Sequence, residues 1–454
     1  MGLLQTVKLP ALRGRYDWLI DTELFAAPED LSVFQKELPL EWIEQALQQT
    51  EKASIRKRKL PAELVVWLVV GLGLYRNRPI TEVVSKLDLT LSDKLGESVA
   101  PSAIPQARHR LTASPLAALF NITSEHWCKR EDSSDRWQEL QLFSVDGTTF
   151  RCADNDETEA HFGRLSNQHK NKSVYPVSRL CALMSLRSRM IRDVKFGPSS
   201  DGEITYAKQL INSVPANSLT LFDACYLSAQ LMVNWQSDKE NKHWLTPVKC
   251  NTKYEVIERY SDNDWLVEMS VSSHAKKQDP SLPDTWLARL VSYEEKEQEN
   301  HISGVLTSLT DIDKYSAEDI LDVYFERWEI ENGYGEIKQY QLDESILLRS
   351  QTVEGIYQEI WGILIAYNLI RVEISQIAKE AEVSPLRISF VMAMRYIQDE
   401  LMWCAIAAPS TIPKKLKAMR GNVKQFILPK KRKRPKKRTV RMNKTRYPIQ
   451  RRNS

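Results

Sequence analysis

The segment YFERWEIENGYGEIK, Tyr324 to Lys338, constrains this chain more than any other. Tyr324, Arg327, Glu331 and Lys338 stand in it at offsets of 0, 3, 7 and 14. At about 100° per helical residue, these offsets fall within about 60° of one another. One helix face then carries a phenol, a guanidinium, a carboxylate and an ammonium in line. An amphipathic helix ordinarily turns such groups to water without aligning them. A single carboxylate flanked by cations suits a metal ligand beside an anionic polymer. Ordinary i,i+4 ion pairs on a solvated face give the same pattern. The first option requires two further acids, held by strands upstream.

A chain of 454 residues, 42% hydrophobic and 27% charged, can bury several cores in two to four domains. The net charge of +4 hides an uneven distribution. Residues 430–454 hold thirteen Lys and Arg and no acid, which leaves the remainder of the chain at −9. A tail of that kind is expected to stay disordered and to meet polyanions. Six scattered cysteines with no C-x-x-C pair suggest neither a zinc site nor a disulfide framework, which fits a reducing cytoplasm. No signal-peptide pattern is seen at the start. The longest apolar run, Leu64 to Leu74, has eleven residues, too few to span a bilayer, so no membrane partner is expected.

Residues 1–130 read as a helical domain. LEWIEQAL from Leu40 has helical spacing, Pro61 suits the first turn of a buried helix, and Ile80 to Leu87 form a short one. PSAIPQARHRLTASPLAALF reads as a further single helix, with Arg108 and Arg110 exposed near its start. Short helices with a basic rim are compatible with DNA binding and equally with plain helical packing. The run Arg56-Lys57-Arg58-Lys59 suits phosphate contact or simple solvation.

The texture changes near residue 138. LQLFSVDGTTF is an apolar, β-type run that places Asp146 at a strand end beside Gly147. This is a common way to hold a metal, although Asp-Gly also forms ordinary turns. Two strands (174–186 and 190–198), a helix (202–211) and a buried strand ending at Asp223 follow. That order reproduces the early topology of a ribonuclease-H-like α/β fold, in which the first and fourth strands are neighbours and their terminal acids converge. The core would occupy 138–248 and 302–375. Residues 249–301 alternate in the β manner and read as a β-rich insertion, with Trp265 and Trp286 more plausible as core than as base-stacking groups. Ser316 would cap the helix carrying the aligned residues, and Gly333 and Gly335 inside it imply a close neighbour or a break. Residues 376–429 read as a helical C-terminal region with lysine-rich turns beyond Pro409.

Three carboxylates without a histidine, cysteine or serine constellation favour oxygen-liking divalent ions, Mg²⁺ with Mn²⁺ as substitute. Two such ions about 4 Å apart suit an in-line phosphoryl displacement. Tyr324, Arg327 and Lys338 would contact phosphates beside the reacting bond.

The spacing Y-(2)-R-(3)-E-(6)-K, the DGT at Asp146 and the strand ending at Asp223 together resemble the insertion-sequence transposases of the insertion element 4 family. The segment from Leu38 to Leu111 resembles that family's N-terminal domain, and the β-rich interval matches an insertion found there. The resemblance implies catalysis and metal binding by Asp146, Asp223 and Glu331, with end-gripping contacts from Tyr324, Arg327 and Lys338. It implies cutting at terminal inverted repeats and joining of 3′ ends to target DNA by a homodimer bound to double-stranded DNA, in a bacterial cytoplasm. Relatives usually have a glycine two residues after the second aspartate, where this chain has Asp223-Ala224-Cys225-Tyr226. A cysteine there is expected to tighten the turn. Two other classes stay open: a ribonuclease-H-like nuclease that does not join strands, and a DNA-binding protein that has lost catalysis.

Overall fold

The computed structural model describes residues 37–53, 60–86, 100–131, 136–165, 172–249, 251–293, 303–342, 347–404 and 412–429. The basic run 56–59 and the tail 430–454 lie outside the described residues.

Alternating apolar residues build one mixed sheet of ten strands among the described residues. The first strands are β1 (Arg136–Trp137), β2 (Leu140–Arg151), β3 (Val177–Ser185), β4 (Ile191–Pro198), β5 (Ser218–Phe222) and β6 (Lys242–Pro247). They are followed by β7 (Glu255–Ser261), β8 (Asp264–Ser270), β9 (Thr285–Ser292) and β10 (Gly304–Thr307). The spatial order is β4-β3-β2-β5-β6-β10-β9-β8-β7, with β1 beside β2. Strands β2, β3 and β4 form an antiparallel meander, and β5 and β6 join β2 in parallel. This is the strand order expected for a ribonuclease-H-like core. Strands β7, β8 and β9, from the interval 249–301, continue the same sheet through β10, which pairs with both β6 and β9. Trp265 is buried there and Trp286 partly so.

Successive strand side chains point to opposite faces. Leu140, Leu142, Leu219 and Leu221 therefore pack on one face with Tyr315 and with Ile320 and Val323 of the helix Ala317–Tyr324. Phe143, Val145 and Phe222 pack on the other with Leu210, Leu231 and Trp235.

The helices beside the sheet share a core with the N-terminal helices. The helix Val353–Glu380 is long and apolar enough to cross a membrane by length and composition alone, yet 89% of its most apolar window is buried inside the protein. It packs against the helix Ala62–Leu74, and the apolar residues of both belong to one cluster. The N-terminal helices therefore lie directly on the helix that backs the sheet.

Several expectations need correction. The stretch read as one helix from Pro101 to Phe120 is two, Ala103–Leu111 and Ser114–Glu131, broken at Thr112 where φ is +65°. Arg108 lies in the last turn of the first and is half-buried, bonded to Gln358 and Ser350. Beyond Pro409 the chain is helical over Ile412–Val423 rather than a set of turns. Asp146 is not at a strand end: β2 runs on to Arg151, because β3 stays paired with it after β5 has ended.

Candidate active site

Strand register brings the two aspartates together. β2 and β5 pair in parallel up to Val145 opposite Phe222, which makes Asp146 and Asp223 the next residues on adjacent strands. By alternation, Asp146 continues the Leu140–Leu142–Ser144 row and Asp223 continues the Leu219–Leu221 row. Both acids therefore stand on the face covered by the helix Ala317–Tyr324. Asp146 is held by its surroundings: its Oδ1 accepts from the Gly147 N–H at 2.8 Å, and its carbonyl accepts from the Tyr334 hydroxyl at 2.6 Å. Burial pushes its carboxyl up to about 6, against the Gly147 N–H and Arg327, with Glu331 and Glu203 adding to the rise.

Asp223 caps a short 3₁₀ turn, Ala224–Tyr226, and accepts from the Ala224 N–H at 2.7 Å. None of Ala224, Cys225 and Tyr226 has positive φ. The turn does not call on the conformational freedom that a glycine would supply, so Cys225 imposes no backbone strain. It is exposed.

The aligned segment is one helical path of changing pitch rather than a single α-helix. Ser316 caps it as expected, accepting from the Asp319 N–H. The α-helix Ala317–Tyr324 tightens to 3₁₀ at Phe325–Arg327, returns to α over Trp328–Gly335 and widens to π over Glu336–Gln341. A Cβ on Gly333 would come within 2.7 Å of the Met184 side chain, so glycine is what lets this helix lie against β3. Gly335 has no such neighbour.

Arg327 is the hub of the site. It is 6% exposed and donates from Nη2 to Glu331 Oε1 at 3.1 Å. Its guanidinium also faces the Trp328 ring at 4.9 Å, and its Nε has no hydrogen-bond partner. Burial lowers its pKa, but Tyr324, Asp223, Glu331 and Asp146 together outweigh that and hold it above the ordinary arginine value. Burial likewise pushes the Tyr324 phenol up to about 12. Tyr324, Arg327 and Glu331 thus form one group with both aspartates in its field.

Lys338 sits elsewhere, on the π-helical stretch. Its charged neighbours are Arg151 and Asp146, and burial and Arg151 lower its pKa. Among the described residues no three His, Cys, Asp or Glu side chains converge closely enough to share one ion. Glu331 is instead taken up by Arg327. The donor set suits a hard divalent cation, because all three groups are carboxylates.

Two features carried no signal in the sequence. Glu203, on the helix Glu203–Lys208, is a fourth carboxylate near Asp146; a Cβ on Gly147 would fall 2.5 Å from its Cδ. Its carboxylate pairs with Arg179 at 3.5 Å and accepts from the Tyr226 hydroxyl at 3.4 Å. The second is a buried ion network behind the site. Arg189, in the β3–β4 turn, binds both Glu329 and Glu336. Glu336 also meets Arg371 at 3.4 Å and the Tyr367 hydroxyl at 3.0 Å. Glu329 and Glu336 are one i,i+7 pair, but their cation lies about 140 residues away in sequence.

Comparison with known proteins identifies the chain. A model of the insertion element 4 transposase N-terminal region matches residues 28–121, and a model of the transposase DDE domain matches residues 137–369. The transposase InsG for insertion sequence element IS4 of Escherichia coli (strain K12) is 33% identical over 409 residues, 90% of this chain and 91% of that protein. A second protein of that organism, the putative transposase InsZ, is 36% identical over 232 residues, 51% of this chain and 76% of its own length. A solved structure, the piggyBac transposase synaptic complex with hairpin DNA, aligns with 95% of this chain and 89% of its own. At 13% identity and a TM-score of 0.40 it adds nothing to the assignment. The strand order, the signature spacing and both family matches agree: the chain belongs to the insertion element 4 family of DDE transposases, and its function is that of a DNA transposase.

Proposed function

We propose that the enzyme binds the terminal inverted repeats of an insertion sequence, cleaves at the element ends and joins the freed 3′ ends to target DNA. The observation that carries this reading is the register that makes Asp146 and Asp223 neighbours on one sheet face, with the Arg327–Glu331 helix covering that face.

Asp146, Asp223 and Glu331 are the catalytic acids and would hold two ions, Mg²⁺ or Mn²⁺. When bound, such ions supply the Lewis-acid charge that activates the attacking oxygen and steadies the leaving one. The remaining work belongs to the chain's own groups. Asp146 acts as the carboxylate, the form that predominates above about pH 6. Arg327 releases Glu331 and turns its fork to a phosphate, for which guanidinium geometry is suited. Tyr324 keeps its proton and donates from the same stretch, and Lys338 contacts a phosphate from the other side of Asp146. These three contacts hold the cut end in register while its 3′ hydroxyl meets a second duplex.

Residues 1–130 serve as the DNA-reading region, 138–248 and 302–375 as the catalytic core, 249–301 as its insertion and 376–429 as a helical C-terminal region. A second copy binds the other transposon end, and the reaction takes place in a bacterial cytoplasm. The test incubates purified protein, Mg²⁺ and a labelled transposon-end duplex with target DNA, and resolves products on denaturing and native gels. Cleavage at the end followed by a joined product is expected. Cleavage without any joined product favours a plain nuclease.

A further inference from the structure

A small open pocket of about 20 Å³, room for a water or a single phosphate oxygen, lies where the N-terminal helices meet the core. Val69 and Leu72 line part of it, and Arg76, Arg108, Arg349 and Glu359 supply its charge. Three guanidinium groups against one carboxylate leave an excess of two positive charges. That carboxylate is fully engaged: Glu359 takes Arg76 Nη1 at 2.6 Å and the backbone N–H groups of Arg349 and Ser350 at 2.9 and 2.7 Å.

Among the described residues, the other two arginines hydrogen-bond only to neutral groups. Arg108 donates from Nε to Gln358 Oε1 at 2.7 Å and from Nη2 to Ser350 Oγ at 3.1 Å. Arg349 donates from Nη1 to the carbonyls of Arg76 and Arg78, at 3.1 and 2.8 Å. Among the described residues, Arg108 Nη1 and Arg349 Nε and Nη2 have no hydrogen-bond acceptor. Burial lowers the pKa of both Arg76 and Arg108; Glu359 opposes it and the neighbouring Arg349 adds to it.

The pocket is also tied to the active site. Arg76 Nη2 donates to the Leu347 carbonyl at 2.8 Å, and the Leu348 N–H donates to the carbonyl of Arg151, the last residue of β2. Arg151 is a charged neighbour of Lys338, which in turn neighbours Asp146. Lys338 and Arg151 thus connect Asp146, through the hydrogen-bonded backbone at Leu347 and Leu348, to the pocket that Arg76, Arg349 and Arg108 line. Arg78, ion-paired with Glu82 at 3.5 Å, is exposed beside Arg349, which binds its carbonyl.

We propose that this arginine pocket binds a phosphodiester group of the DNA whose reacting phosphate lies at Asp146, and so sets the N-terminal helices and the core in one register on the same duplex. The proposal rests on the DNA transposase assignment and does not depend on which step follows cleavage. Guanidinium forks match phosphate, and a contact of this kind fixes position without reading sequence.

The test uses the full-length protein without metal, so binding is read whether or not the enzyme cuts. Anisotropy of a labelled transposon-end duplex is followed against KCl for the parent, Arg349→Gln and Arg349→Lys, with thermal melts run beside them. Arg349→Gln should bind about tenfold more weakly, and its log–log salt slope should flatten by about 0.9, the value of one phosphate contact. Arg349→Lys should keep the parental slope, since the slope counts charge rather than fork geometry. An unchanged slope in Arg349→Gln overturns the proposal and leaves the arginines as clamps between helices. An equal flattening in Arg349→Lys overturns it too, because the effect then follows the clamp and not the charge. Inorganic phosphate is the second probe. If it raises the melting temperature of the parent but not of Arg349→Gln, while the DNA slopes agree, the pocket takes free phosphate and the DNA assignment falls.

Discussion

Arg327 donates from Nη2 to Glu331 Oε1 at 3.1 Å, and the same buried guanidinium lies in the field of Asp146 and Asp223. One side chain therefore offsets part of the acids' charge in the isolated protein and holds the carboxylate that the proposed metal site requires. Under the proposed mechanism, loading the site and gripping a phosphate are linked, because both require this bridge to open.

Replacing Arg327 by alanine separates the two roles. Arg327→Ala frees Glu331, so Mn²⁺ affinity, read by electron paramagnetic resonance, should be equal to or tighter than that of the parent. Retention of a cleaved end should weaken by about ten- to a hundredfold, the worth of one charged hydrogen bond at about 1.5–3 kcal/mol. Strand joining should suffer more than the first nick. Weaker Mn²⁺ binding in this variant would sink the idea that Arg327 competes for the acids.

Glu331→Ala should abolish cleavage while leaving binding of the transposon-end duplex within about twofold. The Glu331 side chain is exposed and is bridged to Arg327 on its own helix, so little of the fold depends on it. Joint loss of cleavage and DNA binding would mark Glu331 as structural.

Asp146 sets a pH dependence whose sign follows from burial. Its carboxyl at about 6 is above the ordinary 3.8, so between those values the folded state holds a proton that the unfolded state has released. This group's contribution to stability is therefore full at the acid end and is lost as pH rises through about 6. Asp146→Asn removes that penalty. The metal-free variant should be more stable than the parent near pH 8 by about 1–2 kcal/mol, after discounting for a partly exposed group. The difference should shrink as pH falls through about 6 towards 4. Urea denaturation at both ends of this range checks it, and a constant difference would rule out Asp146 as the source.

The buried network behind the helix should be costly to break. Arg189→Met leaves Glu329 and Glu336 without their shared cation, and removing one partner of a buried ion pair costs about 3–5 kcal/mol. Denaturant midpoints give the number. A destabilisation under about 1 kcal/mol would mean that Arg371 alone holds Glu336.

Removing residues 430–454 should lower overall DNA affinity and flatten the salt slope, by about 0.9 for each phosphate that the tail neutralises. Discrimination between transposon-end and unrelated duplexes should stay nearly constant. The comparison needs only two competitor duplexes, and an unchanged slope would show that the tail does not touch DNA.

Much of the site was readable because it rests on local patterns. Apolar β-type runs placed the strands carrying Asp146 and Asp223, Ser316 marked the start of the signature helix, and the spacing grouped Tyr324, Arg327 and Glu331, whereas Lys338, expected on the same face, stands apart on the π-helical stretch. Errors came where local signals were overridden by tertiary contacts. Thr112 breaks what looked like one helix, and pairing with β3 extends β2 past Asp146. Burial of Met419 and Val423 accompanies a helix over Ile412–Val423 that its lysines and proline had disguised.

By itself, the sequence determined which chemical groups are available and on which elements they ride, since periodicity of two or 3.6 residues and helix capping are written within a few residues of each position. Only the tertiary structure decided how those groups meet. Arg189 reaches Glu329 across about 140 positions, Arg108 reaches Gln358 across about 250, and Asp146 becomes the neighbour of Asp223 through the parallel register of two strands. The pitch change at Phe325–Arg327, which accompanies the Arg327–Glu331 bridge, belongs to the same category. Such contacts depend on which buried surfaces close-pack, and close packing is a property of the whole core that no window of sequence contains.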